Sequence, residues 1–181
     1  AGVAALASCQ EKPAEDNRPL NIVYIMTDDH TRQMMGAYDD RHIETPNLDR
    51  IAENGVLFRN AYVANSISGP SRACLLTGKH SHKNGKKDNH TRFDGNQQTV
   101  QQLLQAHGYQ TAMIGKWHLD SEPTHFDHWE ILPGQGSYYN PDFIVPEGRT
   151  HYQGYVTNII TDLSTEWLET GRDKETPFAL F

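Results

Sequence analysis

The chain has 181 residues, room for one domain or most of one. Sixteen Lys and Arg against twenty-three Asp and Glu leave a formal charge of −7, which argues against a general nucleic-acid binder with a basic surface. No apolar run approaches the roughly 20 residues of a membrane helix. The two cysteines, Cys9 and Cys74, cannot make a disulfide framework.

Residues 1–19 read as processing signal and tether. Ala1–Ala7 are small and apolar, and Leu6-Ala7-Ser8-Cys9 resembles a bacterial lipoprotein lipobox, where cleavage leaves the cysteine as a lipid-bearing N-terminus. Residues 10–19 are polar with two prolines, as suits a tether between lipid and fold. The resemblance implies a lipid on Cys9, a periplasmic or cell-surface location, and membrane contact only through that anchor. The alternative is a small-residue signal tail in which Cys9 is incidental.

From Leu20 the chain alternates strand and helix patterns. Asn21–Thr27 (NIVYIMT) is a continuous apolar run ending at Asp28-Asp29, which predicts a buried parallel strand. Thr45-Pro46 then opens a helix, an N-cap followed by proline at the first position, with Leu48, Ile51 and Ala52 inward and Gly55 at its end. Val56–Val63 predicts a strand, and Pro70–Thr77 a short helix stopped by Gly78. Thr99 caps a helix carrying Val100, Leu103 and Leu104, and Tyr109–Ile114 is the next strand. The stretch from Asp120 to Gln153, rich in Gly, Pro, Tyr and Trp and without clear periodicity, reads as a functional insertion. Val156, Ile159, Ile160, Leu163, Trp167 and Leu168 keep helical spacing, and Phe178–Phe181 reads as the middle of a strand. The alternation predicts an α/β fold around a mostly parallel sheet. Residues 20–181 are expected to be the amino-terminal part of a longer catalytic domain.

Three places carry chemistry. Asp28 and Asp29 end the first strand, where open α/β sheets put their sites. Adjacent carboxylates repel without a cation between them, and hard oxygen ligands suit Ca²⁺ or Mg²⁺; a strand-end cap beside a solvated neighbour is the plainer reading. Ser68 precedes a proline-initiated helix, so it faces the positive end of a helix dipole, although the spacing alone equally describes a capped helix in a loop. Lys116 and His118 alternate at the end of a strand and so point to one side, a cation and an imidazole suited to an anionic group in transfer. Trp117 between them is expected in the core. Arg72, Lys79, Lys83, Lys86, Lys87 and Arg92 face a single acid, Asp88, a local reversal of charge that suits an anionic saccharide or simply a solvated loop.

The run Ser68-Gly69-Pro70-Ser71-Arg72, four residues, Thr77-Gly78 meets every fixed position of the sulfatase signature, in its serine form. Thr27-Asp28-Asp29, Thr45-Pro46-Asn47-Leu48-Asp49 and Gly115-Lys116-Trp117-His118 stand in family order around it, so residues 21–119 resemble the sulfatase family. The resemblance implies an alkaline-phosphatase-like sheet with helices on both faces. It implies that a serine-type sulfatase-maturing enzyme oxidises Ser68 to formylglycine, whose hydrate is both nucleophile and ligand. Calcium, with magnesium second, would be held by Asp28, Asp29 and position 68. Arg72 would hold the hydrate and the metal carboxylates, Lys116 would contact the sulfate, and His118 would take the proton that releases it. A further His, an Asp-Asn pair and a Lys are expected beyond Phe181. Trp129–Phe143 is similar to N-acetylglucosamine-6-sulfatases, which implies a sulfated glycan substrate carrying 6-O-sulfate on N-acetylglucosamine. Two alternatives are a phosphomonoester or phosphonate hydrolase of the same superfamily and a non-catalytic glycan-binding surface lipoprotein.

Overall fold

The computed structural model describes residues 18–181, so Cys9 and nearly all of the expected tether lie outside the described residues. Six strands, β1 (Ile22–Val23), β2 (Gln110–Lys116), β3 (His128–Leu132), β4 (Asp142–Val145), β5 (Gly148–His151) and β6 (Phe178–Leu180), form one sheet in the order β1-β6-β2-β3-β4-β5. The first four strands across the sheet pair in parallel; β4 and β5 add an antiparallel flank. The helices are α1 (Pro46–Asn54), α2 (Ser68–Thr77), α3 (Ser81–Asn84), α4 (Val100–Ala106) and α5 (Val156–Glu166), the last running into a π turn over Trp167–Gly171.

β2 is the centre of the core because both of its faces are covered. Met113 packs with Ala73 and Leu76 of α2, with Trp117 and with Leu119. Its neighbours Ala112 and Ile114 pack on the opposite face with Trp167, Phe178 and Leu180. A strand covered on both sides can be apolar throughout, which is why QTAMIGK stands out as a strand. The parallel strands share one direction, so Asp28 after β1, Lys116 at the end of β2 and Gln135 after β3 all lie toward the same edge of the sheet. Among the described residues no helix is long and apolar enough to cross a membrane.

The structure corrects several expectations. The run Asn21–Thr27 is paired only over Ile22–Val23, and it is an edge flanked by β6 alone, so Val23 and Ile25 are exposed instead of buried. Val56–Val63 forms no strand: no described strand runs beside it, and Tyr62 is 95% exposed. In α1, Ile51 faces solvent, and the Thr45 hydroxyl donates to Asp49 Oδ1 at 2.8 Å rather than capping the helix. Thr99 makes no side-chain cap either; its hydroxyl is buried without a partner. The stretch from Asp120 to Gln153 carries three of the six strands, β3, β4 and β5. Its strand β3 pairs with β2 from Ala112↔His128 to Lys116↔Leu132, but it carries His128 and Glu130, whose polarity hides the strand from a search for apolar runs. Glu130 is instead tied sideways by the Tyr152 hydroxyl, which donates to it at 2.9 Å.

Candidate active site

α2 starts at Ser68 itself, two residues earlier than the proline suggests, with Ser71 N–H donating to Ile67 O at 2.8 Å and Gly78 ending the helix in the left-handed region. Pro70 in the first turn costs nothing there, because its missing N–H would have had no helical partner. Half-buried Ser68 therefore projects from the first turn of the helix, and its Oγ lies 3.1 Å from His118 Nδ1.

His118 does not get there by strand alternation. β2 ends at Lys116, and the chain turns through a left-handed backbone at His118 (φ 53°). Asp29, six residues past β1, does the same (φ 43°). Asp, Asn and His are the side chains that tolerate this region, and such conformations gather at functional sites, where the surroundings hold them at a cost of about 1–3 kcal/mol each.

Lys116 ion-pairs with Asp28 and also donates to Gln135 Oε1 at 2.6 Å. Arg72 donates from Nη1 to the Lys116 carbonyl at 2.6 Å and brings Nη2 to 3.6 Å from Asp28 Oδ2, with its side chain only 12% exposed. Ser68, Arg72, Lys116, His118 and Asp28 thus meet in one place. Asp29 follows Asp28 in the chain and is exposed, and no described hydrogen bond ties it to the other four. Trp117 packs in the core as expected.

The charges reinforce one another. Burial alone would raise the Asp28 pKa, but the Lys116 hydrogen bond and charge, helped by Arg72 and His118, hold it below the usual carboxylate value. Burial lowers the pKa of His118, and the Lys116 cation lowers it further, so the ring is neutral at neutral pH and can accept a proton. Burial also lowers the pKa of Arg72, with Asp28 opposing.

The donor chemistry at Asp28, Asp29 and the oxygen of position 68 is hard oxygen, which fits Ca²⁺ or Mg²⁺ and not a soft ion. The collection of Lys116 and Arg72 around Asp28 marks the same point as one that attracts positive charge. Among the described residues no group of three His, Cys, Asp or Glu side chains forms that could hold an ion by itself. The set therefore fits a hard cation in kind while supplying only part of the roughly 6–8 oxygens that calcium takes.

The residues that sequence reasoning missed lie beside this cluster. Gln135 sits in the turn between Gly134 and Gly136, both with positive φ, which swings it from β3 onto Lys116. Lys86, read from sequence as one more cation of a charged loop, is completely buried and paired with Asp120. The neighbouring Lys79, Lys83, Lys87 and Arg92 are exposed, so the basic run divides into four solvent-facing residues, Arg72 in the site and one interior lysine. The glycines flanking Gln135 were the one available signal; nothing local set Lys86 apart from the nearby Lys83 and Lys87.

The sulfatase family matches residues 20–181. The chain belongs to the sulfatase family. It is 54% identical over 179 residues to an N-acetylglucosamine-6-O-sulfatase of Bacteroides thetaiotaomicron, covering 97% of this chain and 32% of that protein. It is 37% identical over 131 residues to the human N-acetylgalactosamine-6-sulfatase, covering 62% of this chain and 25% of the relative. A solved structure of a protein in complex with its substrate D-glucosamine-2-N,6-O-disulfate superposes with a TM-score of 0.87 at 55% identity, over 90% of this chain and 33% of that one. A phosphonate monoester hydrolase of Agrobacterium radiobacter, 18% identical with a TM-score of 0.69 over 90% of this chain and 40% of that one, shares the fold. The alkaline-phosphatase-like sheet with helices on both faces is thus the sulfatase fold. The chain spans about a third of the length of the N-acetylglucosamine-6-O-sulfatase it matches (32%).

Proposed function

We propose that this chain is the nucleophile-bearing part of a glycan sulfatase that removes 6-O-sulfate from N-acetylglucosamine. The observation that carries the reading is the meeting of Ser68 and His118, 3.1 Å apart, with Lys116 and Arg72 around Asp28. A serine hydroxyl is a weak nucleophile that needs an activated base. Among the described residues no carboxylate hydrogen-bonds the far side of the His118 ring, so a Ser-His-Asp triad is not assembled. That favours conversion of Ser68 to formylglycine by a serine-type maturing enzyme; the hydrate of that aldehyde supplies a reactive oxygen and an internal route for releasing sulfate.

The remaining residues have roles of their own. Neutral His118 holds, and can take, a proton at the oxygen of position 68. The Lys116 ammonium, steadied by Gln135, binds and orients sulfate oxygens, while the Arg72 guanidinium, fixed by the Lys116 carbonyl, holds the oxygen of position 68 and the Asp28 carboxylate. Asp28, Asp29 and the oxygen of position 68 would hold calcium, or magnesium second, which supplies Lewis-acid stabilisation of charge on the sulfate. Tyr138 and Tyr139, each 69% exposed just after Gln135, offer aromatic faces to a sugar ring. The 54% identical N-acetylglucosamine-6-O-sulfatase supports the choice of sugar. A lipid on Cys9 would hold the protein at the periplasmic or cell-surface side of a bacterial membrane.

The test uses the full-length protein produced with a serine-type maturing enzyme. The Ser68 peptide is expected to be lighter by a pair of hydrogens, and the protein to release sulfate from 6-O-sulfated N-acetylglucosamine in a calcium-dependent way. Faster turnover of an aryl phosphate or phosphonate than of the aryl sulfate would assign it instead to the phosphonate hydrolases. Tight binding of the sulfated sugar without release, by protein carrying converted Ser68, would make it a glycan-binding lipoprotein. Wild type, but not Cys9→Ala, is expected to fractionate with membranes.

A further inference from the structure

Behind Ser68 lies a charged group that the proposed chemistry does not use. Lys86 follows α3 and its side chain is 0% exposed. Its ammonium donates to Asp120 Oδ2 at 2.7 Å and to the Asn89 carbonyl at 3.4 Å. Its Cε lies against Gly69: a Cβ at that glycine would come within 2.8 Å of Lys86 Cε and 2.9 Å of the His118 carbonyl. Asn89 adds a second tie, its Oδ1 accepting the Gly69 N–H at 2.9 Å. The far end of the ion pair, Asp120, stands in the same turn as His118, and both have left-handed backbones (φ 54° and 53°).

These contacts join the two walls of the site. One wall is the start of α2, which carries Ser68; the other is the turn after β2, which carries His118. A lysine is long enough to pack its stem against the first wall and reach the second with its charge. Burying an ammonium is costly, so a position that keeps one in full burial with an acid partner is explained by what the pair holds in place. Two left-handed residues in the turn need such restraint, because neither conformation is the relaxed one for its side chain.

We propose that Lys86, with Asn89 and Asp120, forms a buried positioning clamp that keeps His118 Nδ1 within hydrogen-bond reach of the oxygen at position 68. The proposal rests on the assignment of Ser68 and His118 as the reacting pair. The clamp touches neither substrate nor reacting atoms and acts through Gly69 and the His118–Asp120 turn. Lys86→Met keeps the volume of the stem and removes the bridge. Asn89→Ala removes only the acceptor for Gly69, at a half-buried side chain, and Asn89→Asp restores it.

In full-length protein whose residue 68 is shown by mass to be converted as in wild type, Lys86→Met and Asn89→Ala should each lower kcat by about tenfold or more, since a misplacement near 1 Å can cost on the order of 10²-fold. KM for 6-O-sulfated N-acetylglucosamine should stay within about twofold, because the sulfate-binding Lys116 is untouched, and Asn89→Asp should recover most of kcat. The ¹⁵N signals of the His118 ring, followed in unconverted protein, should shift in both damaging variants. Folded variants with wild-type kcat, or with unmoved His118 signals, overturn the clamp. If Lys86→Met does not fold, the two Asn89 variants decide by the same readings. If wild type itself releases no sulfate, the functional assignment fails, and the His118 signals alone still decide whether the clamp positions the ring.

Discussion

Two lysine–aspartate pairs lie close together in this molecule and behave differently. Lys86–Asp120 has a fully enclosed lysine, packed along its length and satisfied by one carboxylate and one carbonyl. Lys116–Asp28 has a lysine 10% exposed that is shared between an acid and Gln135, and an acid shared between Lys116 and Arg72. The first arrangement leaves nothing for a ligand to replace. In the second, a bound anion can take the place of Asp28 on Lys116, and a cation can take the place of Lys116 on Asp28. The same two side-chain types thus form a strut where packing closes around the lysine and, on the proposed function, a binding site where strands end.

Breaking the open pair should have the largest effect. In full-length, matured enzyme, Lys116→Ala is expected to lower kcat for sulfate release by on the order of 10²–10³, the cost of losing one preorganised charge-stabilising group, while the melting temperature scarcely moves. A large drop in melting temperature with kcat retained would make Lys116 a purely structural residue instead.

The closed pair should lose stability as well as kcat, and asymmetrically. Asp120→Ala leaves a buried ammonium with only a carbonyl at 3.4 Å and should cost about 3 kcal/mol in urea unfolding. Lys86→Met should cost less, because the Asp120 side chain it strands is 42% exposed and can be hydrated. Equal losses from the two variants would remove the distinction between a buried and a half-open partner.

A third tie, on the antiparallel flank, sharpens the contrast through pH. Burial and the hydrogen bond to Glu130 push the Tyr152 pKa up to about 12. A folded pKa above the unfolded value near 10 means stability that is complete below pH ~10 and lost as pH rises toward 12. Urea titrations across that window should show the decline in wild type, and Tyr152→Phe should flatten it. An identical alkaline slope in both proteins would put the loss elsewhere.

The smallest effect belongs to Gln135, whose contact with Lys116 is exposed. Gln135→Ala should cost about 1 kcal/mol of transition-state stabilisation, roughly fivefold in kcat/KM, as for a single hydrogen bond. No change would mean that Asp28 and Arg72 hold Lys116 without help.

Much of this was readable in the chain. The signature from Ser68 to Gly78, the acid pair after the first apolar run and Lys116-Trp117-His118 were found by type and spacing, and four of the named side chains do converge with Asp28. The two-faced core strand β2 was readable because complete burial leaves a continuous apolar run. The α2 terminator was readable because Gly78 alone supplies the left-handed backbone at low cost.

What the order of residues could not convey is which of several equal candidates finds a partner. Ile22–Val23 pairs and Val56–Val63 does not, though both are apolar runs, because a strand exists only where a neighbour accepts its backbone hydrogen bonds. β3 hid behind His128 and Glu130, since its strand character comes from the register with β2 and not from its own composition. Lys86 differs from Lys83 and Lys87 only in being enclosed, and enclosure is decided by residues distant in sequence, Asp120 above all. Local chemistry, written in residue type and short spacing, was determined by the sequence alone; burial and pairing belong to the tertiary structure, because each depends on what the rest of the chain brings alongside.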